Sequence, residues 1–304
     1  MTVPERLALA RKCLLGLSIG DAFGETFFGK EEQIAHRINN QQLQPGEWLF
    51  TDDTVMAIGI YNILKQHGAI DQDKLAIEFA SNYNIDNYRG YGGTAHAILR
   101  SIGEGKHWKS VARSVFDGMG SMGNGAAMRA GITGSYFCDN LQEVIQQTTL
   151  TAEVTHSNQE AIAGAIAIAL AACFAARPSM HRQPNPATSF FNFIIENTPA
   201  SAVQARIIKA ATLPKEYDIR TIVSILGNGI QLTAQDTVPF ALWCAAHHLH
   251  HFETALWTAV SGLGDRDTIC AMVGSIVVLS ADSDTLPQQW IDQAEKVPLS
   301  PFLK

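Results

Sequence analysis

Two short segments of the sequence each place a pair of carboxylates beside threonine, directly before an apolar stretch. They are residues 51–54 (TDDT) and 265–268 (DRDT). Aspartate and threonine are good helix caps, and the helix dipole favours negative charge at this end. Paired carboxylates also repel one another unless a cation lies between them, and oxygen-only ligands suit Mg²⁺, Mn²⁺ or Ca²⁺. The spacing alone leaves helix capping and a hard-metal site as open interpretations.

A glycine-rich segment, residues 118–129 (GMGSMGNGAAMR), runs into a predicted helix. Amides at the start of a helix can bind phosphate, although an ordinary loop has the same composition. The segment lacks the GK[ST] ending, so it is not a P-loop. Glycines clustered at 16–24, 90–93 and 262–264 likewise suggest loops where the backbone approaches a ligand closely.

Histidines occur in two notable places. His156 lies in a THSN segment before an alanine-rich helix, and both a structural and a ligand-contacting role are open. His247, His248, His250 and His251 resemble a metal-binding tract, and the first and last have the spacing of one helix face. The tract lacks the glutamate of an HExxH motif. We therefore interpret it as a solvated helix end.

The bulk composition limits the classes of protein. The chain has 304 residues, 46% hydrophobic content, a net charge of −7 and a pI near 5.8. This acidic balance argues against binding to nucleic acid or to an anionic membrane surface. The N-terminus lacks a signal-peptide pattern, and the uncharged run 161–176 is shorter than the roughly 18–20 residues of a membrane span. Five cysteines without a CxxC pair indicate reduced, buried thiols, and we predict a cytoplasmic protein.

Apolar residues recur with helical periodicity along the chain, and no neighbouring segments show strand alternation with a hairpin turn. We predict an all-α fold, one domain over residues 1–304, with a surface loop at 177–188 and a buried central helix at 161–176. One helix is predicted to follow Asp53 and end at Gly68. The other predicted helices cover residues 5–21, 75–83, 94–103, 108–116, 141–151, 159–175, 186–196, 200–211, 219–226, 238–247, 252–260, 268–280 and 288–294.

Taken in order, six motifs resemble those of the ADP-ribosylglycohydrolase family, whose founding member reactivates dinitrogenase reductase. They are GLSIGDAFG (16–24), FTDDTVMA (50–57), RGYGGT (89–94), GNGAAMR (123–129), THSNQEAIAGA (155–165) and GDRDTICAMVG (264–274). The resemblance covers nearly the whole chain. It implies an enzyme with the family's compact, orthogonal multi-helix fold. It also implies two divalent cations, Mg²⁺ or Mn²⁺, between the two acidic segments.

The same resemblance implies roles for individual residues. The implied metal ligands are Thr51, Asp52, Asp53, Asp265, Asp267 and Thr268. The residues that would face the diphosphate of ADP-ribose are Gly123, Asn124, Gly125 and Met128. The residues that would line the ribose or adenine region are His156, Tyr91 and Gly92.

The implied reaction is hydrolysis at the anomeric carbon of ADP-ribose, through an oxocarbenium-like transition state. Asp52 or Asp53 would take the proton of the attacking water, and Glu25 would assist the leaving group. We expect an ADP-ribosylated protein as substrate, ADP-ribose as product, and arginine as the modified residue. Serine-linked or polymeric ADP-ribose is an alternative substrate. Another alternative is a non-catalytic relative that binds ADP-ribosylated partners or acts as a toxin-immunity protein.

Three positions depart from the pattern of that family. Before the last aspartates the family usually has Gly-Gly, and here residues 263–264 are Leu-Gly. Arg266 stands where a small residue is usual. Phe28 stands where many members have a glutamate. We expect Arg266 to pair with a carboxylate or to reach a substrate phosphate. Phe28 removes a carboxylate from the region expected to select the linkage.

Overall fold

The structure is a computed structural model that describes residues 1–282 and 285–298. Regular secondary structure in these ranges is helical, and strand-like pairing there is limited to two isolated bridges, Trp48 with Ala294 and Gly123 with Thr233. The predicted all-α fold is confirmed. The single domain over residues 1–304 stays a prediction, and its residues 283–284 and 299–304 lie outside the described ranges. None of the described helices is long and apolar enough to span a bilayer.

Most helices predicted from periodicity are present, and α10 and α14 have the predicted bounds. The helices are α1 (Val3–Glu25), α2 (Glu31–Asn39), α3 (Asp52–His67), α4 (Gln72–Ile85), α5 (Gly93–Gly103), α6 (Trp108–Ser114), α7 (Gly125–Met128), α8 (Gly131–Tyr136), α9 (Leu141–Glu153), α10 (Gln159–Ala175), α11 (Pro178–His181), α12 (Pro186–Asn197), α13 (Ala202–Ala210), α14 (Ile219–Leu226), α15 (Ala234–His247), α16 (Phe252–Ser261), α17 (Arg266–Ser280) and α18 (Gln288–Gln293).

The structure corrects the sequence prediction in three regions. Helices α2 and α8 were not predicted, because α2 buries only one residue, Ile34, and α8 is too short to show a period. The predicted loop at 177–188 contains α11, whose last residue, His181, is buried. The histidine tract is only partly a solvated helix end. Helix α15 ends at His247, and of the four tract histidines only His251 is exposed.

Helix capping explains the presence of only some polar residues in the two acidic segments. The residue that caps α3 is Thr51, whose hydroxyl accepts a hydrogen bond from the backbone N–H of Asp53. Asp265 occupies the N-cap position of α17 but makes no side-chain capping bond. The carboxylates in both segments are therefore not explained by capping.

Helix α10 forms the centre of the molecule. Every residue from Ala161 to Ala175 is buried, as predicted for a central helix. Its alanine-rich surface lets α7, α8, α9, α15 and α17 pack directly against it. At the contact with α8, a β-carbon added to Gly134 would overlap the backbone carbonyl of Ala169. Small residues thus set the spacing of the inner helices.

Helices α1 and α17 pack even more closely, along a face of three glycines spaced four residues apart. A β-carbon added to Gly20 would overlap the carbonyl oxygen of Cys270. One added to Gly16 or Gly24 would overlap other carbonyl groups of α17. The expectation that this glycine cluster forms a ligand-binding loop is wrong, because the glycines lie inside α1 and allow contact between the two helix backbones. The contact places the C-terminal end of α1 beside the start of α17.

We predict that Gly20→Ala destabilises the protein by about 1–3 kcal/mol, because the added methyl group must separate two packed backbones. Urea unfolding of the full chain measures this change. Gly93→Ala is the control, because a β-carbon there meets no heavy atom within 4 Å. The control should change stability by less than about 0.5 kcal/mol. Equal stability of the Gly20→Ala variant and wild type would contradict the packing described here.

Candidate metal centre and adjoining cleft

Asp21, buried near the C-terminal end of α1, organises the first acidic segment. Its carboxylate accepts hydrogen bonds from the Thr51 backbone N–H at 3.0 Å and the Thr51 hydroxyl at 2.8 Å. It also accepts from the backbone N–H and the hydroxyl of Thr54. The sequence analysis did not assign Asp21 to the site. An aspartate within an apolar helical segment is the signal that could have identified it.

The two acidic segments face each other across Asp53. The Oδ2 atom of Asp53 accepts from the Thr51 hydroxyl at 3.1 Å and lies 3.4 Å from the Thr268 hydroxyl, which donates from α17. Carboxylate oxygens of Asp21, Asp53 and Asp267 lie within 4.8 Å of one another. We call Asp21, Asp52, Asp53, Asp265 and Asp267 the aspartate cluster.

No lysine or arginine forms a direct ion pair with the aspartate cluster among the described residues, although the charges of Arg129 and Arg266 act on it from farther away. Burial raises the pKa of all five carboxyl groups. For Asp21, burial and then repulsion from Asp267 raise the pKa to about 7. For Asp53, burial and then repulsion from Asp21 hold the pKa well above its usual value.

The cluster fits a hard divalent cation. One carboxylate oxygen of Asp53 and one of Asp267 are buried without a hydrogen-bond partner. Buried carboxylates of this kind are costly unless they are paired or bind a metal. Their donors are oxygen atoms, which Mg²⁺ and Mn²⁺ prefer over the nitrogen and sulfur ligands typical of zinc.

The second acidic segment is held by a tight turn and by the glycine-rich loop. Leu263 and Gly264 both have positive φ, 57° and 67°. The usual glycine at the first of these positions would adopt this conformation without the cost that leucine incurs. The side-chain amide of Asn124 donates to Asp265 Oδ2 at 2.6 Å and to the Thr237 hydroxyl at 3.0 Å.

A cleft of about 370 Å³ adjoins the aspartate cluster. Most of the predicted site residues line it together. These are Asp52, Asp53, Gly92, Gly123, Asn124, Gly125, Met128, His156, Asp265, Asp267 and Thr268. Phe116 and Leu232, which were not predicted, also line it, and both are exposed. An exposed aromatic side chain in the cleft wall suits contact with a planar ligand.

The glycine-rich loop has fewer free amides than its sequence suggested. The Gly123 N–H donates to the Ser121 hydroxyl at 3.1 Å, and the Asn124 N–H donates to the Leu232 carbonyl at 3.0 Å. The glycines serve a different purpose, because they leave room for a histidine ring. A β-carbon at Gly125 would lie only 3.2 Å from Nε2 of His156.

His156 belongs to a chain of hydrogen bonds that begins at the fully buried Arg129. The guanidinium donates to the Gly125 carbonyl at 2.8 Å and to the Thr155 hydroxyl oxygen at 2.7 Å. That hydroxyl lies 2.7 Å from His156 Nδ1. Because a guanidinium only donates, the hydroxyl proton is free to point at Nδ1, which leaves the ring proton on Nε2. Burial lowers the pKa of His156 to about 3, so the ring is neutral. The sequence analysis did not assign a role to Arg129.

Three predicted site residues lie outside the lining of the cleft. Thr51 is buried behind it, bonded to Asp21. Tyr91 packs its ring at right angles against Tyr83, with centroids 5.1 Å apart, so its side chain does not face the cleft. Glu25 lies at the end of α1, exposed as a whole residue, while partial burial of its carboxyl group and then Asp267 raise its pKa to about 7.

Two departures from the family pattern meet in space. The Arg266 guanidinium lies over the Phe28 ring, 5.0 Å from its centroid, and donates to the Phe27 carbonyl at 2.9 Å. The expectation that Arg266 pairs with a carboxylate is wrong for the described residues. The arginine instead attaches the start of α17 to the segment after α1 through the hydrogen bond and the cation–π contact. A small residue at position 266 could make neither side-chain contact.

The fold and the cluster define a helical protein with buried carboxylates that suit a hard cation beside a cleft, and the comparisons give its family. The family model described as ADP-ribosylglycohydrolase matches residues 2–301, and the chain belongs to this family. The chain is 29% identical to ADP-ribosylhydrolase ARH3 of Xenopus tropicalis, over 94% of this chain and 90% of that protein. It is 28% identical to ADP-ribosylhydrolase ARH3 of Homo sapiens, over 95% and 90%. The predicted family and enzyme class are confirmed.

A solved structure gives the same fold. A chain described as "ADP-ribosylglycohydrolase-related protein complex" matches with a TM-score of 0.64, over 96% of this chain and 94% of that chain. Its sequence identity is 21%, so the match concerns the fold alone.

A further sequence relative, an uncharacterized protein of Archaeoglobus fulgidus, is 27% identical over 93% of this chain and 90% of that protein.

We predict that the metal-free protein loses stability as pH rises from about 4 to about 7. Asp21 has an ordinary pKa of 3.8 and a folded-state pKa of about 7, so the folded state binds more protons across this window. Asp53→Asn should stabilise the metal-free protein at pH 7 by at least about 1 kcal/mol, because it removes a buried charge. Chemical denaturation in EDTA measures both effects. Asp292→Asn, at an exposed position, is the control. Stability that rises with pH in EDTA would contradict this account.

We also predict that the His156 ring carries its proton on Nε2 at neutral pH. Nitrogen-15 NMR of the imidazole measures the tautomer directly. Thr155→Val keeps the side-chain shape but removes the hydroxyl, so it should shift the proton toward Nδ1 and cost about 1–2 kcal/mol of stability. Thr155→Ser should keep the wild-type tautomer. A proton on Nδ1 in wild type would refute the proposed chain of hydrogen bonds.

Proposed function

We propose that this protein is a divalent-metal-dependent hydrolase that cleaves the glycosidic bond between ADP-ribose and a modified protein side chain. One observation carries the proposal: buried aspartate oxygens without partners lie beside the cleft formed by the glycine-rich loop and His156. A cation centre next to a cleft large enough for part of a nucleotide suits hydrolysis of a sugar linkage. Family membership and the similarity to ADP-ribosylhydrolases support the same bond type.

The proposed cation ligands are the predicted set together with Asp21. They are Asp21, Thr51, Asp52, Asp53, Asp265, Asp267 and Thr268. In our proposal two cations, Mg²⁺ or Mn²⁺, supply Lewis-acid chemistry to ribose oxygens when they are bound. Asp21 has a second contribution, because it fixes Thr51 and Thr54 through four hydrogen bonds and so holds the start of α3 in place.

The cleft residues would bind and orient ADP-ribose. His156 presents an Nε2–H donor beside Gly123 and Gly125, which suits a phosphate or ribose oxygen. Asn124 keeps the loop attached to Asp265, so the part of the cleft that binds diphosphate is fixed relative to the aspartate cluster. Met128 and Gly92 complete the walls. Such fixed positioning contributes to rate by holding the reacting carbon near the proton-transfer groups.

Two kinds of carboxyl group would move protons. Asp52 lines the cleft and is our choice for accepting the proton of the attacking water, since Asp53 Oδ2 already accepts from Thr51 and Thr268. Glu25 has a pKa raised to about 7, so near neutral pH it can hold a proton for the leaving group. Glu25 follows Gly24, which packs against the backbone of Asp267, and it therefore lies at the edge of the cluster.

The proposal also includes the modified residue, the cellular compartment and the partners of the protein. Arginine as the modified residue stays a prediction, and serine-linked and polymeric ADP-ribose are the alternatives. All five cysteines are free and buried, which supports our proposal that the protein works in the reducing cytoplasm. The partners would be ADP-ribosylated proteins, with ADP-ribose released as product.

We predict that the protein releases ADP-ribose from modified proteins with Mg²⁺ and stops when EDTA is added. Separate arginine-linked, serine-linked and polymeric substrates identify the linkage, with released ADP-ribose measured by chromatography. Asp267→Asn should lower turnover by roughly 100-fold or more, because it removes an oxygen ligand. Asp292→Asn is the matched control at an exposed site.

The outcomes separate the alternatives. Release that continues in EDTA would overturn the metal-dependent mechanism. Tight binding of ADP-ribose without release from any substrate would identify a non-catalytic relative. Absence of both binding and a cation-dependent rise in melting temperature would favour a helical scaffold, because a ligand that binds the native state raises its stability.

A further inference from the structure

A second candidate cation site lies at the end of α11, formed by residues that the proposed reaction does not use. His181, the last residue of α11, is 3% exposed. Neither of its ring nitrogens has a hydrogen-bond partner in the described part of the chain. Buried polar groups are nearly always bonded, so an imidazole with two unpartnered nitrogens needs a further partner, either water or an ion.

The ring that faces His181 belongs to His250, from the histidine tract after α15. The Nδ1 atom of His250 lies 3.1 Å from the backbone carbonyl of Ser280. A carbonyl only accepts, so Nδ1 carries the proton of the neutral ring and Nε2 keeps its lone pair. A histidine that donates its second N–H to a backbone carbonyl has the arrangement usual for metal-ligating histidines.

The separation of the two rings fits a shared ion. Their centroids are 5.2 Å apart and their planes are inclined by 49°. With Zn–N bonds of about 2.1 Å, two imidazoles on one tetrahedral ion have centroids roughly 5 Å apart. Within the described residues, no hydrogen bond joins the two rings, so direct bonding does not explain their approach.

The charges around His181 keep its ring neutral. Burial, followed by His250, Arg182 and Lys12, lowers its pKa to about 4, while Asp282 acts in the opposite direction. The Lys12 ammonium group donates to the Leu279 carbonyl. The backbone N–H of Asp282 donates to the His250 carbonyl at 3.2 Å, which attaches the segment after α17 to the histidine tract.

We propose that His181 and His250 form a binding site for a transition-metal cation that prefers nitrogen ligands, with Zn²⁺ as the best match. The two imidazoles supply two ligands, and water completes the set, because the Asp282 carboxylate does not lie within ligand distance of both rings. The site joins α11 to the turn after α15 and is independent of the proposed function. Its nitrogen ligands distinguish it from the aspartate cluster, whose oxygen ligands suit Mg²⁺.

The test is Zn²⁺ binding to the full chain by equilibrium dialysis, with excess Mg²⁺ to occupy the aspartate cluster. Wild type should bind one Zn²⁺ that Mg²⁺ does not displace. His181→Ala and His250→Ala should each weaken its binding by about tenfold or more. His251→Ala, which changes the exposed neighbour of His250, should bind like wild type.

Co²⁺ provides a second measurement on the same variants. Its visible absorption reports nitrogen ligation in a tetrahedral site, and the band should disappear in His181→Ala and His250→Ala. Circular dichroism checks that each variant is folded. If His181→Ala does not fold, the half-buried His250→Ala decides alone. No Zn²⁺ binding by wild type in excess Mg²⁺, or full binding by folded His250→Ala, would overturn the proposal.

Discussion

The contact between the backbones of α1 and α17 is the constraint on which the rest of the structure depends. Dispersion forces act at short range, so two helices attract most strongly when no side chain separates them. The glycines at 16, 20 and 24 create this condition along one face of α1. The contact brings Asp21 on α1 to the start of α17, where Asp267 lies. With a wider helix spacing, the acidic segments would lie too far apart to share an ion.

This geometry assembles a group of buried carboxyl groups that no lysine or arginine of the described residues pairs with directly. Repulsion among buried carboxylates opposes folding, and the surrounding apolar core must offset it. Helix α10, buried along Ala161–Ala175, and the aromatic side chains around Phe23 supply that core. Stability and chemistry therefore have opposite requirements at the aspartate cluster, as is common at functional sites.

The sequence was informative wherever structure depends on neighbours in the chain. Periodicity located α10 and α14, and the TDDT and DRDT segments marked both halves of the cluster. Asp21 and Arg129 were not assigned, because their roles come from contacts with distant residues. The same holds for Phe28 and Arg266, whose separate departures from the family pattern form one contact. Pairwise contacts of this kind follow from the packing of helices, which periodicity does not specify.

The distance along the chain between the two halves of the cluster affects the order of events during synthesis. Thr268 and Asp53, which meet in the folded protein, are 215 positions apart in sequence. A growing chain on the ribosome therefore carries α1 and α3 long before α17 has been made. During this time the glycine face of α1 lacks the helix it packs against in the folded protein. The aspartate cluster is completed only when nearly all of the chain has left the ribosome, so shortened products that lack α17 cannot form it.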